Sequence, residues 1–285
     1  MPSAVDPPRL VVVDVVTRAL AEDLTPLGDL TSALLPPELT ATASFVARQP
    51  GVVAGTMAAH ETFRLVDASV ELEWPLVDGD IVTAGGVIAT ATGPLASILT
   101  AERTALNFLG HLSGIATRTR AFVDAAAGGT ARIWDTRKTT PGLRSLEKAA
   151  VRAGGGANHR GNLSDWILLK DNHIALFGIT EAVARARAMW PARTVHVECD
   201  RLDQVREALA AGADALLLDN MSPEQVEECV AVAGAVVRRP LLEVSGGVTL
   251  DTVGAYAATG VDCISVGGLT NSAPVLDIGL DIDPV

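Results

Sequence analysis

Between residues 131 and 266, short apolar runs alternate with helical stretches, and this alternation constrains the fold more than any other feature of the chain. The runs are Ala131–Trp134, Trp166–Leu169, Val195–Glu198, Ala215–Leu218, Leu241–Val244 and Cys263–Val266. Between them, Ile179–Met189, Leu202–Ala211, Pro223–Val232 and Leu250–Ala258 carry helical periodicity. Continuous apolar strands separated by helices are the pattern of parallel strands buried on both faces. Six in succession predict an α/β fold with a β/α barrel, complete or nearly so; a flat, doubly wound sheet is the alternative. What favours the barrel is how each run ends: Asp135, Lys170, Glu198, Asp219, then Ser245-Gly246-Gly247 and Gly267-Gly268. Barrel enzymes gather their chemistry on that C-terminal rim.

The preceding part reads differently. Leu10–Ala21 has the spacing of an amphipathic helix, and Thr25–Pro37 is a proline-punctuated loop. Short runs at 43–47, 51–54, 70–74 and 87–92 are broken at Gly51, Asp78-Gly79 and Gly85-Gly86, with one helix near Met57–Leu65. A long helix is expected over Thr100–Ala127, capped by Thr100 and stopped at Gly128-Gly129.

Charge narrows the partners. A formal net charge of −12 argues against nucleic acid and anionic membranes, which demand basic surface. No apolar run approaches the roughly 18 residues of a membrane span, and Met1–Pro8 lacks the charge and apolar core of a signal peptide. Cys199, Cys229 and Cys263 are widely spaced, show no CxxC pattern and cannot pair off evenly, so core cysteines of a reducing compartment are expected. A cytoplasmic protein is expected.

Within this acidic chain, residues 132–173 hold eight of the 22 lysines and arginines and only four acids. A local basic cluster calls for an anionic ligand. Arg144, Lys148 and Arg152 lie at helical spacing beside Glu147 and are expected on a solvated face. Arg137, Lys138 and Lys170 follow strands and are expected on the rim. His159 and Arg160 follow Gly154-Gly155-Gly156, where the backbone can approach a ligand and arginine offers a fork for a carboxylate or phosphate. Glu198 and Asp219 close successive strands and could hold Mg²⁺ or grip sugar hydroxyls. No HxxxH spacing supports a histidine metal site. The last two strand ends, Ser245-Gly246-Gly247 and Val266-Gly267-Gly268, are where barrels often bind phosphate. The residues alone therefore predict a ligand with a phosphate, a diol and further anionic groups, and leave several phosphosugars open.

The motifs Asp135-Thr136-Arg137-Lys138-Thr139, Gly154-Gly155-Gly156-Ala157-Asn158-His159-Arg160 and Leu169-Lys170-Asp171-Asn172-His173 strongly resemble those of the quinolinate phosphoribosyltransferase family. Glu102–Phe108, Ser113–Thr117, Leu218-Asp219-Asn220, Glu243–Gly247, Glu22-Asp23 and Gly28–Thr31 extend the resemblance to nearly the whole chain. It implies an N-terminal α/β sandwich domain over residues 1–115, an incomplete, seven-stranded β/α barrel over 116–270, and a segment 271–285 returning to the first domain. It also implies transfer from 5-phosphoribosyl-1-pyrophosphate (PRPP) to quinolinate, with Mg²⁺, giving nicotinate mononucleotide, CO₂ and pyrophosphate for NAD biosynthesis. Carried over by motif, Arg137, His159, Arg160 and Lys170 would hold the quinolinate carboxylates. Lys138 would face the pyrophosphate or the acceptor ring, beside Thr136. Glu198 and Asp219 would bind ribose hydroxyls and metal, and Ser245, Gly246, Gly247, Val266, Gly267 and Gly268 the 5-phosphate. Lys138, Lys170, Glu198 and Asp219 would be the catalytic set. A homodimer or higher homo-oligomer is implied, with Arg103 donated across the interface.

Two positions depart from the family pattern. The glycine that usually follows His-Arg-x has moved to Gly161, ahead of Asn162, so a reshaped loop using left-handed backbone at asparagine is expected. Asn271 stands where histidine is frequent. The competing readings are a same-scaffold paralogue with another acceptor, a Schiff-base aldolase using Lys170, and a non-catalytic phosphosugar-binding module.

Overall fold

In the computed structural model, residues 6–282 are described; Met1–Val5, the larger part of the Met1–Pro8 stretch, and residues 283–285 of the C-terminal segment lie outside them. The chain begins with α1 (Arg9–Leu24), a 3₁₀ turn (Ser32–Leu34), β1 (Thr40–Ala47), β2 (Gly51–Val52) and α2 (Thr56–Val66). Then come β3 (Glu71–Glu73), β4 (Ile81–Val82), β5 (Val87–Pro94), α3 (Leu95–Ala125) and β6 (Arg132–Trp134). Next are α4 (Arg144–Ala153), β7 (Ile167–Leu169), α5 (Asp171–Phe177), α6 (Ile179–Met189), β8 (Val195–Cys199) and α7 (Leu202–Ala210). The remainder is β9 (Ala215–Asp219), α8 (Pro223–Gly234), β10 (Leu241–Ser245), α9 (Val253–Ala258), β11 (Cys263–Ser265), α10 (Gly268–Asn271) and β12 (Ile278–Ile282). Two units result, one of residues up to 120 with 138–155 and 268 onward, the other of 121–137 and 156–267.

The first unit is organised by period-two alternation. In β1, Ala41, Ala43, Phe45 and Ala47 are buried while Thr40 and Thr42 face outward. This strand is central in an antiparallel sheet of order β12-β1-β5-β3. Phe45 packs edge-on against Phe63 of α2 (5.8 Å between centroids) and stacks near Trp74, joined by Ile88, Ile98, Ala105 and Leu109. β12 reaches its place by pairing with β1, Phe45 opposite Leu280.

Helix α3 departs from the expected start. It begins at Leu95, and Ile98, ahead of Thr100, is fully buried with Ala101 on its apolar face. Thr100 therefore caps nothing, and its hydroxyl donates to the Asp29 carboxylate at 3.0 Å. Helix α4 departs further. Leu146 through Val151 are buried, Lys148 to 6% exposure, and Arg144 and Arg152 are half-buried. The expected solvated face is absent. Its charges face polar partners instead: the wholly buried Glu147 accepts from the Thr140 amide (3.1 Å) and pairs with His111 (2.8 Å), and Arg144 donates to Thr139.

The second unit holds six parallel strands in the order β6-β11-β10-β9-β8-β7. A doubly wound sheet reverses direction midway through its strand order. Here each strand from β7 to β11 adds on the same side, and β11 then pairs with the first strand, β6. That is barrel closure. A seventh strand position is held by one parallel bridge, Trp134 with Ala157, on the other side of β6. Among the described residues no ladder joins Ala157 to β7, so the barrel is open there. Leu216, Leu218, Leu242, Val244 and Ile264 fill the buried strands.

Candidate active site

Strand register sets the rim. Trp134 aligns with Ser265, Ser265 with Ser245, and Ser245 with Asp219; Cys199 aligns with Leu218 and Leu169 with Val197. In the second unit, Arg137, His159, Arg160, Lys170, Glu198, Asp219, Ser245–Gly247 and Val266-Gly267 thus all follow or close strands at one edge. The Lys170 ammonium pairs with the Glu198 carboxylate, and its amide donates to His173 Nδ1 at 3.2 Å. Asp219 accepts from Asn220 Nδ2 (2.7 Å), and the Asn220 amide continues to the Ser245 carbonyl (2.9 Å). Gly246 (φ 95°) packs so closely on the Asn220 side chain that a Cβ there would collide with it.

Behind the rim, Asp135 is fully buried and pins the loop beside β6. It accepts from the His159 amide (2.8 Å) and Asn158 Nδ2 (2.6 Å). This delivers His159 and Arg160 into the barrel, where they are 7% and 8% exposed. Arg160 donates through Nη1 to the Trp166 carbonyl (3.3 Å), while its Nε has no partner. Burial lowers the Arg160 pKa, reinforced by the positive charge of Arg137 and opposed by Asp165 and Glu243. A guanidinium in such surroundings calls for an anion.

The fold gathers a group the sequence did not announce. His159 Nε2, His196 Nε2 and a Glu243 carboxylate oxygen lie within 4.8 Å of one another, all buried. Burial depresses His196 to about 4, so this imidazole is neutral at physiological pH. For Glu243 burial opposes ionisation, but the nearby His159 and His196 rings and the Ser265 hydroxyl outweigh it and hold the carboxyl below its ordinary range. The only sequence signal was a carboxylate inside an otherwise apolar strand, Leu241–Ser245. The three come from β8, β10 and the loop beside β6, which is why no HxxxH spacing revealed them.

Arg103, Lys138 and Gly268 belong to the first unit. Lys138 is exposed, and its carbonyl accepts from Thr270 Oγ1 (2.7 Å). The Arg103 side chain is 67% exposed and lies 4.0 Å from the carboxylate of its neighbour Glu102. It lines a cavity of about 650 Å³ with Arg18, Glu22, Asp23, His111 and Thr140.

The loop after Arg160 does not use left-handed backbone, since neither Gly161 nor Asn162 has positive φ. Asp165 organises it instead, accepting from the amides of Gly161 (2.6 Å) and Asn162 (3.4 Å), while Asn162 Oδ1 accepts from Ser164. Asn271 ends α10 and accepts from its neighbour Ser272 (2.6 Å). The three cysteines are buried and free, and burial pushes Cys199 up to about 12. Among the described residues no helix is long and apolar enough to cross a membrane.

Known proteins share this sequence and fold. Residues 29–113 match the family model "Quinolinate phosphoribosyl transferase, N-terminal domain", and 115–281 match its C-terminal domain. A probable nicotinate-nucleotide pyrophosphorylase [carboxylating] of Bacillus subtilis is 46% identical, covering 90% of this chain and 88% of that protein. The nicotinate-nucleotide pyrophosphorylase [carboxylating] of Mycobacterium leprae is also 46% identical, over 94% and 96% of the two chains. The solved nicotinate-nucleotide pyrophosphorylase from Francisella tularensis superposes with a TM-score of 0.94 at 38% identity, covering 99% of this chain and all of that one. The chain belongs to the quinolinate phosphoribosyl transferase family.

Proposed function

We propose that this chain transfers the phosphoribosyl group of PRPP to quinolinate with loss of CO₂, giving nicotinate mononucleotide and pyrophosphate. The observation that carries the reading is Arg160: a buried, under-compensated guanidinium beside Arg137 on a barrel rim, built to receive a dianionic acceptor. His159, Arg137 and Lys170 complete the acceptor's carboxylate contacts. Ser245–Gly247 and Val266–Gly268 take the 5-phosphate, and Glu198 and Asp219 the ribose hydroxyls.

The chemistry follows from charge. As the bond from ribose C1 to pyrophosphate breaks, positive charge develops at C1 and negative charge on the leaving group. The pyridine nitrogen, held by the arginine clamps, forms the new bond to C1. The resulting pyridinium accepts the electron pair released when the 2-carboxylate leaves as CO₂, and that ring carbon then takes a proton. Lys138, Thr136 and an Arg103 donated by a second copy add positive charge or hydrogen bonds for the pyrophosphate and acceptor. Glu198 and Asp219 are hard oxygen donors on adjacent strands and suit Mg²⁺, which when bound with PRPP would neutralise pyrophosphate charge. A homodimer in the cytoplasm fits the exposed Arg103 and the free, buried cysteines.

The test is release of pyrophosphate and CO₂ from PRPP plus quinolinate. Equal or better turnover with nicotinate, which lacks the second carboxylate, would refute the assignment and favour a paralogue with another acceptor.

A further inference from the structure

Glu243 sits in the middle of β10, between Leu217 of β9 and Cys263 of β11, and is 1% exposed. A carboxylate in that position costs several kcal/mol unless it is paired. Its pairing is specific. Ser265 donates to Oε1, while Oε2 lies 3.3 Å from His159 Nε2 and 3.5 Å from His196 Nε2. The His159 ring is also walled by Trp166 (4.9 Å between centroids), Trp134 (5.7 Å, edge-on) and His196 (6.0 Å). Its backbone is held by Asp135, and Arg160 follows it directly. Every element packed on this ring thus presents a rigid aromatic or a fixed polar group. The Glu243 carboxylate faces its Nε2 edge.

We propose that Glu243 is a positioning residue for the acceptor: it acts through His159, fixing the imidazole under the quinolinate carboxylates. The proposal rests on the acceptor reading above. Glu243 lies a layer below the rim and touches no substrate. Its anion complements the imidazole from below, so the ring does not turn toward Trp166 or swing out of the barrel when the site is empty. Ser265 in turn fixes the carboxylate, giving a chain from β11 through β10 to the acceptor site. His196 is the second contact of the same oxygen, and its neutrality leaves the Glu243 charge directed at His159.

The experiment is a double-mutant cycle on the full-length protein, using Glu243→Gln, His159→Ala and their combination. Glu243→Gln should raise KM for quinolinate about 10- to 100-fold while KM for PRPP stays within about twofold, since the ring is loosened but no phosphoribosyl contact is lost. In the His159→Ala background, adding Glu243→Gln should cost nothing further in quinolinate KM. Ser265→Ala, which keeps the charge and loosens only its anchor, should give a smaller rise of about threefold, and it serves if Glu243→Gln fails to fold. Additive losses, or equal losses toward PRPP and quinolinate, would overturn the proposal. So would a stoichiometric transition-metal ion copurifying with the wild-type protein and lost in Glu243→Gln. If the wild-type chain shows no quinolinate-dependent pyrophosphate release, the functional reading itself fails; if it turns over and the cycle is additive, only the role of Glu243 fails.

Discussion

Replacing Arg160 by Met should make the protein more stable and unable to bind its acceptor. The Arg160 charge is held against two opposing effects, burial and the positive charge of Arg137, with partial relief from Asp165 and Glu243. Methionine keeps the buried aliphatic stem and removes the charge. The substitution forfeits one hydrogen bond, to the Trp166 carbonyl, worth about 1 kcal/mol. Exchanging buried charge for packed apolar atoms commonly returns about 1–4 kcal/mol. Taking the middle of that range leaves a net gain of about 1–2 kcal/mol, or roughly 2–4 °C in Tm per kcal/mol for a chain of this size. Binding moves the other way. Losing a desolvated, charge-assisted clamp should weaken quinolinate by about 2–4 kcal/mol, on the order of 100-fold. Differential scanning fluorimetry separates the two effects. Wild type should gain about 3 kcal/mol with quinolinate at 100 times its Kd, whereas Arg160→Met should start higher and show no ligand shift at that concentration. A variant less stable than wild type that still responds to quinolinate would refute both halves of the reasoning.

Other consequences are equally direct. Gly154→Ala should destabilise the first unit by about 1–3 kcal/mol, seen as a lower urea midpoint, because its Cβ would press on the Ala116 carbonyl and the Thr119 Cβ where α4 meets α3. Asp29 is held at about 2, first by the hydroxyl and amide of Ser32 and further by Thr100 and the Thr31 amide, all outweighing burial. Because its pKa is depressed on folding, its contribution is present above its ordinary value near 4 and fades as pH falls toward 2; Asp29→Ala should lower stability at neutral pH and flatten that part of the acid denaturation curve. Arg103→Ala should leave stability within about 0.5 kcal/mol, given the exposure of its side chain. If Arg103 serves a neighbouring copy, mixing inactive Arg103→Ala and Lys170→Ala subunits should restore about a quarter of wild-type activity, through mixed dimers with one intact site. No recovery on mixing would place Arg103 in its own subunit's chemistry.

The barrel was readable because its strands are short, apolar and ended by polar residues, so even a strand of three residues at β11 declared itself. Helix α4 was misread for an instructive reason. Arg144, Lys148 and Arg152 at helical spacing predict a wet face only if the opposite face alone meets the core. With alanines at 149, 150 and 153 the helix packs on nearly all sides and takes its charges inward. The start of α3 was missed because Thr100 has the chemistry of a cap, while its actual partner, Asp29, lies 71 residues away. The same kind of distance concealed the inner layer of the site. Asp135 with His159, and Glu243 with His159, His196 and Ser265, are pairings between different strands and loops that no local spacing encodes.

The difference between the rim and its inner layer has a physical basis. On the rim, Arg137, Arg160 and Lys170 stand out as cations against a chain of net charge −12, beside the carboxylates Glu198 and Asp219. A cationic rim without support would be loosened by its own repulsion, as Arg137 and Arg160 show. Buried carboxylates resolve this from beneath: Asp135 grips the backbone of the His159 loop, and Glu243 faces its ring. Negative charge there holds the cations in position without competing for the ligand's side of them. A carboxylate moved to the solvent side would neutralise the same arginines and exclude the acceptor. The sequence displays the cations; the fold shows which carboxylates, Asp135 and Glu243, hold the His159 backbone and face its ring.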